Sequence, residues 1–188
     1  MAVRVLKGQE IDITKNNPGL NKIKITLGWN IDKNKKINFD FDSSVFLCND
    51  FGKAISSKHL IFYNNKQDPS GSVIHHGDYK TGEEGEEEIV INLEKLPSEV
   101  YRLVFAVSIH EGKKKKQSFG QVENSYLKIL DEEKKEELIR FDLKNEFSNE
   151  TGIIIGSMYK KNEEWKFKTE GLGFPEGLRD IVIHHGLM

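Results

Sequence analysis

Residues 72–93 read Ser-Val-Ile-His-His-Gly-Asp-Tyr-Lys-Thr-Gly-Glu-Glu-Gly-Glu-Glu-Glu-Ile-Val-Ile-Asn-Leu. Two apolar, strand-like runs, Ser72 to His75 and Ile89 to Leu93, enclose six carboxylates and three glycines. The enclosed stretch reads as a short acidic loop. Like charges held this close either fan out into water or are gathered by a hard cation through oxygen ligands. Upstream, Phe39-Asp40-Phe41-Asp42 alternates. On a strand both aspartates take one face and both phenylalanines the other.

Working outward, the same two-residue period recurs along the chain. Val3 to Leu6, Glu10 to Ile13 and Lys22 to Leu27 alternate, with Asn17-Pro18-Gly19 turning the chain before the third. Residues 38–49 form a long strand, Leu60 to Tyr63 a buried one, and Asp68-Pro69-Ser70-Gly71 a turn. Val100 to Ile109 is β-branched and aromatic throughout. Gln121 to Leu130, Glu137 to Leu143, Gly152 to Lys160 and Glu164 to Lys168 repeat the theme. Leu93 to Glu99 offers a short helical turn and Glu176 to His185 a short helix. About a dozen short strands with no long amphipathic helix predict an all-β fold, a two-sheet antiparallel β-sandwich with one or two short helices. No linker or repeat divides residues 1–188, so a single domain is expected.

Hydrophobic residues make up 37% of the chain, enough for a core of this type, and charged residues 31%. The net charge of -2 predicts no general attraction to nucleic acid or to an anionic membrane. Charge is instead segregated, acid at 78–88 and 131–137, base at Lys113 to Lys116. A single cysteine, Cys48, excludes an intrachain disulfide framework and a multi-thiolate metal site. No apolar leader core opens the chain and no run reaches membrane-spanning length, which predicts a soluble, intracellular protein.

Several multi-residue motifs appear in one order along almost the whole chain. They are Leu27-Gly28-Trp29, Phe39-Asp40-Phe41-Asp42-Ser43-Ser44, Phe62-Tyr63-Asn64-Asn65, and Gly77-Asp78 followed by Thr81-Gly82. Phe119-Gly120-Gln121-Val122, Arg140-Phe141-Asp142-Leu143, Glu150-Thr151 and Trp165-Lys166-Phe167 complete the series. Together they resemble the TerD-type tellurite-resistance and stress-response family. The resemblance implies a calcium-binding β-sandwich, cytoplasmic and without catalytic activity. Three positions depart from the family pattern. Asn30 stands where Asp is common, Tyr79 where Asn is common, and Glu86-Glu87-Glu88 replaces an Asp-Asp-Glu triplet in a loop one residue shorter.

Calcium takes six to eight oxygens in a forgiving geometry. Asp40, Asp42 and Asp78 supply carboxylates, Thr81 a hydroxyl, Tyr79 and Glu83 carbonyls, and Glu86, Glu87 and Glu88 close the shell. More than one calcium ion is expected. A strand beginning near Glu86 would turn alternate glutamates away, and a purely solvated acidic face is the plain alternative. An EF-hand is excluded, because aligning Asp40 as its first position puts Val45 where glycine belongs and Phe51 where the bidentate Glu belongs. His75-His76 and His184-His185, read as strand neighbours facing opposite ways, lack a Cys partner for zinc.

The Lys113–Lys116 run reads as a solvated loop tip, with phosphate or a polyanion as the alternative. Gly171 to Gly177 misses the dinucleotide spacing. The function expected is a calcium-binding stress-response protein acting through protein or surface contacts, with other stress-response proteins as partners. The alternative is a metal-dependent hydrolase using the same acidic residues.

Overall fold

The computed structural model describes residues 2–30, 39–81, 84–122, 124–144 and 147–188. Two six-stranded sheets face one another. The first runs β1 (Val3–Val5), β10 (Glu136–Lys144), β9 (Asn124–Asp131), β3 (Lys22–Asn30), β7 (Glu84–Asn92) and β6 (Val73–Thr81) from edge to edge. The second runs β2 (Glu10–Asp12), β12 (Glu164–Phe174), β11 (Gly152–Lys161), β8 (Arg102–Ile109), β4 (Phe41–Cys48) and β5 (Leu60–Ile61). Every pairing is antiparallel except β1 on β10, which is parallel. The expected all-β sandwich is therefore the fold.

Alternation dictates the core. Ile23, Ile25, Leu27 and Trp29 of β3 point inward and meet Val45, Leu47, Phe105 and Val107 of the second sheet in one buried cluster. Each such side chain contributes roughly 1.5–3 kcal/mol when fully buried. A second cluster lies on the outer face of the second sheet, where Phe46, Cys48, Val104, Ala106 and Ile154 are covered by Ile181 of helix α2 (Leu178–His184). Helix α2 falls within the expected helical tail, and a 3₁₀ turn at Leu93–Lys95 fills the other helical position. A one-turn helix, α1 (Gly112–Lys115), occupies the basic run, with Glu111 and Lys116 in the left-handed region on either side.

Burial pushes the Cys48 thiol up to about 12, so it packs as a small apolar group.

One expectation needs correction. Much of the stretch expected as an open acidic loop is strand: Asp78, Tyr79 and Thr81 belong to β6, and Glu86 to Glu88 belong to β7. The strands persist because alternation separates the like charges, and other strands supply partners to Glu86, Glu87 and Glu88.

Candidate metal site

The central strand β3 places Lys24 on the outer face of the first sheet, and β9 places Lys128 and Tyr126 beside it. Glu88 accepts from Lys24 at 2.8 Å. Glu86 accepts from the Tyr126 hydroxyl and, at 3.1 Å, from Lys128. Burial raises the Glu86 pKa, but the Tyr126 hydrogen bond and the Lys128 charge more than offset it, leaving it below the usual range. The hydrogen bond to Glu88 raises the Lys24 pKa in the complementary sense.

Glu87 does the opposite and enters the interior, 2% exposed. Its Oε2 accepts the Ser43 backbone N–H at 2.6 Å and lies 3.4 Å from His75 Nε2. The same His75 nitrogen is 2.9 Å from the Ser43 hydroxyl, while its Nδ1 accepts the Gly77 N–H at 3.0 Å. With Nδ1 accepting, Nε2 carries the ring proton and donates. In this arrangement His75 Nε2 faces Ser43 and Glu87 as a donor, inside the core.

A bulge in β6 between His75 and Gly77, where Gly77 adopts φ 82°, moves the ladder by one residue. Asp78 is thereby paired with Glu87, and Tyr79 with Glu86.

The aspartate pair lies across the sandwich. Phe39 and Phe41 are buried and stack at 5.3 Å, Asp40 is exposed, and Asp42 is half-buried on the outer face of β4. His110 touches both aspartates: its N–H donates to the Asp40 carbonyl at 2.7 Å, and its Nδ1 lies 3.5 Å from Asp42 Oδ2. Phe41 meets Trp29 at 4.4 Å, and Trp29 is level with Gly85 in the ladder. The start of β4 and the turn end of the β6–β7 hairpin therefore share one end of the sandwich.

The expected ligands are thus distributed. Asp40 sits at the hairpin end. Asp42 faces the cleft beside His110, whereas Glu86 and Glu88 occupy the other sheet's outer face and Glu87 the core. The side chains of Asp78, Tyr79 and Thr81, and all of Glu83, lie outside the described residues. Among the described residues no three His, Cys, Asp or Glu side chains come together as a metal cluster.

The histidine pairs are also separated by role. His75 is buried and His76 exposed, while His184 ends α2 and His185 follows it as the helix cap, not as strand neighbours. Sequence reading missed Ser43, His75 and His110 as partners of the acidic residues. Only the inward parity of Val73 and His75 hinted at one of them.

Comparison with known proteins covers the full length. The TerD domain model matches residues 1–185. General stress protein 16U of Bacillus subtilis is 44% identical over 190 residues, covering 100% of this chain and 98% of the relative. The tellurium resistance protein TerD of Serratia marcescens is 36% identical over 189 residues, covering 100% and 98%. A crystal structure of a homologue of the telluride resistance protein TerD from Streptomyces coelicolor shares the fold. Its TM-score is 0.62 at 18% identity, with 83% of this chain and 91% of that one covered.

Proposed function

Because the chain belongs to the TerD domain family of tellurite-resistance and stress-response proteins, we propose that it is a non-enzymatic, cytoplasmic calcium-binding protein acting through ion-stabilised contacts with other stress-response proteins. One observation carries the reading. The Glu87–Ser43 hydrogen bond joins the two sheets and holds the aspartate-bearing start of β4 at the same end as the acidic hairpin turn.

The described residues fit this ion only in part. Glu86 and Glu88 are engaged by lysines and Glu87 by the core, so they do not complete a shell. Asp40, with Asp78, Tyr79, Thr81 and Glu83 of the hairpin, would hold the ion. When bound, calcium neutralises carboxylates that otherwise repel one another. The chain's own residues set the frame: the buried Glu87 fixes the distance between sheets, and the lysine-paired glutamates keep the rest of β7 from competing.

The test is calorimetric melting in calcium, in magnesium and in chelator. An ion that binds only the native state adds about 2.7 kcal/mol at a hundredfold excess over its dissociation constant. At roughly 2–4 °C per kcal/mol for a domain of this size, calcium should raise the midpoint by about 5–10 °C. Magnesium should do less, and the Asp40→Asn protein should lose much of the rise. Equal midpoints in calcium and chelator for the wild type would refute the reading and leave the hairpin as a solvated acidic face.

A further inference from the structure

A cleft of about 350 Å³ opens on the outer face of the second sheet, between α1 and the start of α2. Asp42 and Ser108, paired across β4 and β8, form its floor. Tyr63 and His110 form a wall, their rings edge to face at 6.4 Å. Lys113, Lys114 and Arg179, all exposed, stand around the mouth.

These groups are sorted by chemistry. The floor offers a carboxylate, which only accepts hydrogen bonds, beside a hydroxyl, which both accepts and donates. Asp42 Oδ2 lies 3.5 Å from His110 Nδ1, and a carboxylate has about four acceptor sites for several donors. A floor of this kind suits neighbouring hydroxyl groups and repels a bare anion. The mouth carries three cations from two separate elements, beside the carboxylates of Glu111 and Glu176. Lys114 pairs with Glu111 at 2.9 Å and Lys113 pairs with Glu176, but both lysines are more than half exposed. Such exposed pairs are weak, and a dianion that draws on both lysines and on the planar Arg179 fork displaces them.

We propose that the cleft binds a phosphorylated sugar, with hydroxyl groups on Asp42 and Ser108 and the phosphate on Lys113, Lys114 and Arg179. The volume is within the range of small-molecule sites. Tyr63, 42% exposed, leaves a ring on the wall for a stacked base where the sugar belongs to a nucleotide. The inference does not rest on the ion site, because the cleft residues that hold the phosphate lie outside it.

Calorimetric titration of the full chain with ribose 5-phosphate, in calcium and again in chelator, tests it. Ribose 5-phosphate should bind in both conditions, and ribose and inorganic phosphate each at least about tenfold more weakly. Lys114→Ala/Arg179→Ala, two exposed positions whose melting midpoint should match the wild type, should bring ribose 5-phosphate down to the level of ribose. Ser108→Ala should weaken the sugar phosphate and leave inorganic phosphate unchanged. Adenosine 5′-monophosphate binding tighter than ribose 5-phosphate would identify the sugar as part of a nucleotide, and equal binding a free sugar phosphate. The proposal is overturned if ribose 5-phosphate binds no better than inorganic phosphate, or if the double variant binds it as the wild type does.

Discussion

Replacing Glu87 separates its role from that of the two glutamates beside it. In Glu87→Ala the Ser43 N–H loses its 2.6 Å acceptor inside the sandwich, and His75 Nε2 loses a neighbour at 3.4 Å. An unsatisfied buried donor costs about 1–3 kcal/mol, and more where the acceptor it loses is charged. The expected loss is therefore about 2–4 kcal/mol, a fall in melting midpoint of roughly 4–16 °C. Glu87→Gln keeps a carbonyl oxygen for Ser43 and should lose only about 1–2 kcal/mol. Glu88→Ala breaks a half-buried ion pair with Lys24 and should lose about 1 kcal/mol, while Glu86→Ala also removes the acceptor of the buried Tyr126 hydroxyl and should lose about 1–3 kcal/mol. Urea unfolding of all four variants in chelator gives these values without any contribution from an ion. If Glu87→Ala loses no more than Glu88→Ala, Glu87 is not an internal acceptor, and the argument that it ties the two sheets fails.

Two further outcomes rest on different residues. A Cβ at Gly28 would lie 2.2 Å from the Tyr126 ring, which is held between Lys128 and Arg140 and bonded to Glu86. Gly28→Ala should therefore destabilise by about 2–4 kcal/mol in urea unfolding, from overpacking and the displaced ring, whereas an unchanged midpoint would mean that the ring moves freely. Burial lowers the pKa of His185, while the unfolded chain still takes up a proton near the ordinary value of about 6.5. The contribution is fully present above that pH and is lost as pH falls toward the lower folded value, because only the unfolded state gains the proton. His185→Gln should flatten the stability profile below pH about 6.5, and a wild-type profile as flat as the variant's would contradict the assignment.

The strands were legible because their evidence is local. Lys22 to Leu27, Val100 to Ile109 and Gly152 to Lys160 each show their period within a few residues, and each is a strand. The acidic stretch was harder because its sequence shows the charges and not their partners. Lys24 and Lys128 lie 64 and 42 residues from the glutamates they neutralise, so a run that reads as mutual repulsion folds as a paired strand. Alternation alone would have sent Glu87 to the side opposite Glu86 and Glu88, but not to Ser43 on the other sheet. The face of Asp42 was legible from Phe39 and Phe41. Its contact with His110 comes from a strand pairing that no short window contains.

The two outer faces of the sandwich are finished differently. On the second sheet, α2 covers apolar side chains. On the first, Thr26 and Tyr126 are each 3% exposed beneath a lattice of Lys24, Lys128, Arg140, Glu86, Glu88 and Asp142. That lattice ends the stacking of layers. A further sheet settling on it would have to strip water and partners from charges already matched. Matched charge thus opposes a third layer on the first sheet, although that face is uncovered by either described helix.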